Sequence, residues 1–486
     1  MGNPDSELKR RAVRGGAAKL CGQAVNFGLR IGFMIVLTRL LSPHDFGLVA
    51  MVTVVTGIYG MFTTAGLSSA TVQRAQITQD QISALFWVNT SIGLMFAILC
   101  VLTAPALVLF YREPRLLWIA IALAAGFLIT GVGVQHNALL QRRLLYTTLT
   151  LIEILSQLVS SAIGIALAIL GFGYWALVAA TITAPAVVTI CSWVAARWRP
   201  GPPGWNADIR SMLFYGGTVT LNNLVVYVGY NLEKVLLGRF WGADTLGLYG
   251  RAYQLISVPT DSLNGAIGGV AFSALSRLQD DPVRFKGYFL RGYQLAVSLT
   301  LPVTIFCAVF AAEIILFLFG PNWSAAAEIF RLLTPTVLIF AIINPLAWLL
   351  LSIGLQGRSL KISLVLAPIV MTAYSIGLPY GPTGVAAAYS VAMTLWVVPH
   401  VLWCIRGTPV SFFDIARALR GPFIAGAISS VAAVAIHVSV GPSMPPLVEM
   451  LVGGTLMLSL YIAILLFVLG EKEVYFGLAR TLLKSS

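Results

Sequence analysis

Apolar runs of twenty or more residues, separated by short polar connections, recur along the whole chain. About fourteen are long enough to cross roughly 30 Å of hydrocarbon as helices rising about 1.5 Å per residue. They lie near 18–40, 46–70, 83–108, 116–140, 147–170, 174–196, 211–236, 246–272, 288–312, 326–352, 359–378, 384–405, 421–440 and 446–469. None shows the alternation of a barrel strand, and unpaired backbone is costly in lipid, so the pattern predicts an all-α integral membrane protein. The connections, under about twenty residues each, leave no room for a sizeable soluble domain.

The first predicted helix ends on LTRLLSPHDFGL, Leu37 to Leu48, and the chain repeats that phrase two hundred residues later as LGRFWGADTLGL, Leu237 to Leu248. Arg39 falls on Arg239, Gly47 on Gly247 and Leu48 on Leu248, and Gly15-Gly16 is echoed by Gly216-Gly217 one position out of register. A segment recurring at half the chain's length predicts two similar lobes rather than a solenoid.

Composition agrees with a lipid solvent. With 58% hydrophobic and 10% charged residues, too little polar surface exists to wrap a soluble core of this size. The net charge of +13 would suggest nucleic acid in a soluble protein, but its distribution is topological. Of 31 Lys and Arg, twenty-three lie in the N-terminus, the even-numbered connections and the tail, against five, Arg39, Arg112, Arg115, Lys234 and Arg239, on the other side. That bias places both termini in the cytoplasm and removes the case for a nucleic-acid partner. The first apolar run can span and has no small-residue cleavage site after it, so a retained helix is expected rather than a signal peptide. Cys21, Cys100, Cys191, Cys307 and Cys404 stand singly in or beside apolar runs and read as small buried hydrophobes.

The three remaining cations, Arg30, Arg251 and Arg331, lie inside predicted spans. A central Arg costs about 2.5–3.5 kcal/mol on insertion scales, so it normally faces protein or a wet cavity and marks a pathway. Lys19, Gln23, Asn26 and Arg30 follow i, i+4, i+7 and i+11, one face of helix 1, where Gly28 and Gly32 form a small-xxx-small pair for a close neighbour. In helix 7, Thr220, Asn223, Tyr227, Tyr230 and Lys234 share a face with Glu233 alongside. Arg251, Gln254 and Asp261 do so in helix 8 as far as Pro259 allows. A polar, net cationic cavity between the lobes is the container these stripes imply. Plainer readings stand beside it. Glu328 and Arg331 suit a structural ion pair as well as a substrate contact, and Glu153 can neutralise Arg142-Arg143 at the rim. Glu233 and Lys234 can snorkel, and Trp205, Trp241, Trp323 and Tyr380 read as interfacial belts.

No catalytic constellation emerges. A Gly-x-x-x-x-Gly-Lys-Ser/Thr phosphate loop is missing, and Gly265 to Gly269 suits helix packing. His44, His136, His400 and His437 lack metal-ligand spacing, and Asp280-Asp281 before Pro282 reads as the cap of an amphipathic loop, Gln279 to Gly292. No enzyme activity, metal or cofactor is expected.

The run LGRFWGADTLGLYGRAYQLISVPTDSLNGAIGGVAFSALSRLQDDPVRF from Leu237, with LTRLLSPHDFGLVA at 37–50 and IFRLLTPTVLIFAIINPLAWLLLSIGLQGRSLK at 329–361, resembles the polysaccharide transporters. These are O-antigen and exopolysaccharide flippases, Wzx-like, of the multidrug/oligosaccharidyl-lipid/polysaccharide exporter superfamily, and the last two runs are similar to their colanic-acid-exporter branch. The resemblance covers nearly the whole chain.

It implies two six-helix lobes in parallel repeat plus two C-terminal helices, with a V-shaped central cavity lined by helices 1, 2, 7 and 8. On this chain that gives a cytoplasmic segment 1–17, an N-lobe 18–196, a linker 197–210 and a C-lobe 211–405. A cytoplasmic amphipathic loop 406–420, helices 13 and 14 at 421–470 and a cytoplasmic tail 471–486 complete it. The implied cargo is a polyprenyl-diphosphate-linked oligosaccharide, flipped by alternating access across a bacterial inner membrane for surface polysaccharide or lipopolysaccharide. Membrane lipid, a polysaccharide polymerase and a chain-length regulator are the implied partners. Arg30 and Arg251 match lumenal arginines of related lipid flippases by helix. They are expected to hold the diphosphate, with Gln23, Asn26, Asn223, Tyr230 and Arg331 as further substrate contacts and Glu233 or Asp261 as sites for a coupling proton or cation. A multidrug extruder of the same superfamily, or a membrane-embedded polymerase or glycosyltransferase, are the alternatives. The first would want acidic groups where helix 1 has Arg30, and the second usually carries a long outer loop that this chain lacks.

Overall fold

A computed structural model describes residues 4–64, 71–72, 77–202, 210–439 and 445–470, with side chains throughout these except at 4–21, 63–64, 210–226, 228, 230, 261–263, 265–267, 269–270 and 273. All regular structure among the described residues is helical. The first six helices are α1 (Pro4–Leu40), α2 (Pro43–Thr64), α3 (Gln79–Tyr111), α4 (Leu116–Arg142), α5 (Tyr146–Ile169) and α6 (Tyr174–Ala196). Next comes a long element, Arg210–Arg277, broken at Gly242, whose φ of 82° is non-helical. Its two arms are taken as α7 (210–241) and α8 (243–277). Then follow α9 (Pro282–Val309), α10 (Ala311–Phe319), α11 (Ala326–Leu333), α12 (Pro335–Ser352), α13 (Gln356–Gly377), α14 (Gly381–Ile405), α15 (Phe412–Ser439) and α16 (Pro446–Ala463).

Ten stretches among the described residues are long and apolar enough to cross a membrane, one of them, Gln356–Ile405, containing both α13 and α14. The expected count of fourteen is not reached by that criterion. Leu109 and Leu395 are 79% and 72% exposed, the inverse of a soluble surface, because lipid rather than water is the solvent these helices meet.

The chain divides into two compact units, Met1–Gly247 and Leu248–Ser486. In the first, α1 packs on α5, α5 on α6, α6 on α4, and α4 on α3 and α2. The α3–α4 crossing is close because a Cβ on Gly93 would lie 2.7 Å from the Phe127 carbonyl and one on Gly131 2.8 Å from that of Asn89. Without hydrophobic drive between helices in lipid, such backbone approach is what van der Waals packing requires. In the second unit α9 packs on α12 and α15, α14 on α12 and α13, and α16 on α15.

Several expectations change. Trp323 is fully buried against Phe319, so it is a core anchor and not a belt residue, whereas Trp241 and Tyr380 are exposed. A Cβ on Gly28 or Gly32 would meet nothing within 4 Å; the glycine of α1 pressed by its neighbour is Gly22, against Thr150. Glu153 is exposed and has no partner among the described residues, because the rim arginines turn to backbone: Arg142 donates to the Thr71 carbonyl at 2.8 Å and Arg143 to that of Ala196 at 2.9 Å. Glu328 and Arg331 are both exposed and form no ion pair. Asp281 does cap, its carboxylate accepting from Arg284 N at 3.1 Å, but what it caps is α9 itself, with Pro282 at the first helical position. Gly268 sits under the Trp348 indole, as a packing glycine should. Cys100 and Cys404 are buried and Cys191 and Cys307 half-buried, all four as free thiols.

Candidate functional site

In the first unit the two copies of the repeated phrase meet each other. A Cβ on Gly47 would fall 1.8 Å from the Ala243 carbonyl oxygen, and one on Gly247 1.9 Å from that of Pro43. Positions 43 and 243, like 47 and 247, are equivalent in the repeat, so each copy presses its glycine on the backbone of the other in the reciprocal manner of a two-fold contact. His44 and Asp244, also equivalent, stand 3.0 Å apart through Nδ1, and Arg115 Nη1 donates to the other ring nitrogen at 3.0 Å. Arg has only donors, so Nε2 must accept and Nδ1–H must point at Asp244, which fixes one neutral tautomer. The α1–α2, α3–α4 and α7–α8 connections therefore gather at one end of this unit.

The opposite end carries Arg142 and Arg143. Besides the rim bonds above, Gln135 donates to Thr71 at 3.0 Å, Trp87 to the Gly201 carbonyl at 2.9 Å and Trp198 to Gln79 at 3.0 Å. The second unit alternates likewise. Lys286 at the head of α9 bridges Asp414 at 2.6 Å, and Arg358 donates to the carbonyls of Cys404 and Arg406, all from even-numbered connections.

Within the first unit, Gln23 and Arg30 are exposed on α1, and Asn26 is half-buried with an Oδ1 that has no partner. Among the described residues Arg30 has none either, so this stripe offers unspent donors and acceptors. On α7, Tyr227 donates to the Val54 carbonyl at 3.0 Å across the gap left by Gly57, tying α7 to α2. Glu233 is 1% exposed, and among the described residues no side chain donates a hydrogen bond to its carboxylate. Lys234 Nζ stands 4.0 Å away and is held instead by Asn231 Oδ1 at 2.6 Å. Glu233 therefore does not snorkel. The side chains of Asn223, Tyr230 and Asp261, like those of Lys19, Cys21 and Trp205, lie outside the described residues.

In the second unit Arg251 is half-buried and donates to Gln254, as their i, i+3 spacing predicts. Arg331 is exposed on α11. Among the described residues of this unit, two cavities stand out. One of about 530 Å³ between α9 and α16 is lined by Pro302, Phe306, Gly454, Tyr461 and Leu465 among others, and is too apolar to hydrogen-bond a sugar. The other, about 150 Å³, is lined by Thr260, Asn264, Thr300, Asn344 and Trp348, and Asn264 Oδ1 there has no partner.

Residue spacing along single helices finds neither the Arg115–His44–Asp244 chain nor a third cluster, Glu313, His437 and Glu449. For the first a signal existed, since the offset of 200 that aligns the repeat also pairs His44 with Asp244.

A family model described as polysaccharide biosynthesis protein matches residues 36–328. The teichuronic acid biosynthesis protein TuaB of Bacillus subtilis (strain 168) is 30% identical over 295 residues, 60% of each chain. The succinoglycan biosynthesis transport protein ExoT of Rhizobium meliloti (strain 1021) is 24% identical over 307 residues, 63% of this chain and 62% of its own. Among solved structures, the lipid II flippase MurJ in an inward closed conformation superposes with a TM-score of 0.74 at 13% identity, over 94% of this chain and 99% of its own. At that identity the likeness is one of fold.

Proposed function

The chain belongs to the family of polysaccharide biosynthesis proteins, and on that premise we propose that it is a flippase carrying a polyprenyl-diphosphate-linked oligosaccharide across the bacterial inner membrane. One observation carries this beyond family membership: α1 exposes Arg30, a cation with no partner among the described residues, beside Gln23 and Asn26, in a helix otherwise apolar from Phe27 to Leu37. An unpaired guanidinium at that depth is costly, and it suits a ligand that brings its own negative charge and takes bidentate hydrogen bonds, as a phosphate does.

In this proposal Arg30 and Arg251 take the diphosphate, while Gln23, Asn26, Asn223, Tyr230 and Arg331 meet sugar hydroxyls or ordered water. The prenyl tail stays in lipid. The two lobes of the repeat, bounded at 18–196 and 211–405, alternate access to the site from either side of the membrane. Glu233, a buried carboxylate, is a natural seat for a coupling proton, and Asp261 is its alternative. Both termini are cytoplasmic, as the positive-inside count requires. A polymerase and a chain-length regulator follow on the outer face.

Deleting the gene and extracting lipid-linked oligosaccharides tests this. Intact, completed oligosaccharide should accumulate on the polyprenyl carrier facing the cytoplasm. A deletion strain that exports polymer normally, or one that accumulates only incomplete glycans as a transferase defect would, overturns the proposal.

A further inference from the structure

Three helices of the second unit bring two carboxylates and an imidazole together away from any of the polar stripes. Glu313 is in the first turn of α10, His437 in the last turn of α15 and Glu449 in the first turn of α16. One ligand atom from each lies within 4.8 Å of the other two. His437 Nδ1 stands 2.6 Å from Glu449 Oε1, and Glu449 is 5% exposed. Glu313 Oε2 is buried with no hydrogen-bond partner among the described residues. The setting is apolar: the Phe310 ring meets His437 edge-on at 5.8 Å and lies over Gly453, where a Cβ would collide with it.

The charges do not close. With His437 neutral the cluster carries two negative charges, with His437 protonated still one, and no Lys or Arg of the described residues pairs with either carboxylate. Burying uncompensated carboxylate is expensive. The contrast is His44, where Arg115 supplies the missing cation from the chain itself. A divalent cation would bring two carboxylates and a neutral imidazole to zero.

We propose that Glu313, His437 and Glu449 form a binding site for a divalent transition-metal cation, Zn²⁺ foremost, that fastens α10 to the C-terminal pair α15 and α16. One imidazole nitrogen with two carboxylates is a ligand set for such ions rather than for Mg²⁺ or Ca²⁺, which prefer all-oxygen shells. Tetrahedral ligands at about 2.0–2.2 Å from zinc stand roughly 3.4 Å apart, so the His437–Glu449 contact opens by under about 1 Å and the spread to Glu313 closes by at most about 1.4 Å. The fourth position is left to water.

The test uses the full chain in lipid nanodiscs, with any affinity tag removed, stripped with EDTA, incubated with Zn²⁺ and desalted. The expected result is one equivalent of zinc retained, and with Co²⁺ as probe the visible absorption of a tetrahedral site. His437→Ala and Glu313→Gln should each lower the retained metal at least tenfold and abolish the Co²⁺ band. Glu313 is half-buried, so its conservative variant keeps the test valid if His437→Ala fails to fold. Wild-type protein that retains no more zinc than His437→Ala, or a Co²⁺ spectrum unchanged by Glu313→Gln, overturns the site. Neither readout involves glycan transport, so the site and the flippase role stand or fall separately.

Discussion

Arg30 and Glu233 are single residues placed at odds with their solvent, and each yields a measurable expectation. If Arg30 meets the diphosphate through charge-assisted hydrogen bonds, losing about 1.5–3 kcal/mol of contact should slow export by roughly tenfold to a hundredfold in Arg30→Ala, read as polymer output at equal protein level. Arg30→Lys keeps the charge without the fork and should fall between. Glu233→Gln keeps the shape and removes the titration. In vesicles the variant should lose any dependence of transport on the proton gradient, and a wild-type rate indifferent to ionophores would remove Glu233 from coupling. Burial also revises a residue that looked like surface. Trp323→Ala should cost about 3–5 kcal/mol by cavity formation, seen as a lower thermal midpoint in detergent, where truncating an interfacial belt residue would cost little. Trp323 was not legible as core from its neighbours, because the flanking Asn322 and Ser324 look like a membrane-interface connection. Only the packing of Phe319 over its ring shows otherwise.

At the scale of elements, the repeated phrase is a joint. The sequence aligned Gly47 with Gly247 as equivalents; the structure adds that each presses on the other copy's backbone. Gly47→Val places carbon where the Ala243 carbonyl oxygen now lies, so the α2 and α8 ends must part, at a cost of about 3 kcal/mol or more and with loss of export. His44→Ala removes an exposed pair at the same joint and should cost under about 1 kcal/mol. Equal effects from the two would show that the joint is held by charge and not by approach. The two copies differ elsewhere: Arg30 has Tyr230 at the equivalent position, so Tyr230→Ala should impair export less than Arg30→Ala does.

For the molecule as a whole, hydropathy alone determined a great deal. Whether a segment enters lipid depends on its own side chains summed over some twenty residues, so the all-helical fold and its short connections were readable along the chain, while the family was legible in particular runs, those at 37–50 and 329–361 among them. The arginine bias likewise needs no contacts, and among the described residues Arg142 with Arg143 in the first unit and Lys286 and Arg358 in the second are seen bonding near helix ends. Which side chains meet is a different kind of fact. Arg142 finds a backbone carbonyl in place of Glu153, and Glu313 comes to His437 and Glu449 over more than a hundred residues. Such partners depend on which helix stands beside which, and that is settled by the close packing of whole helix faces. The sequence determined the solvent of each segment; the tertiary structure decided which polar groups find a partner and which are left without one, because a side chain can bond only what the packing of whole helix faces brings within reach.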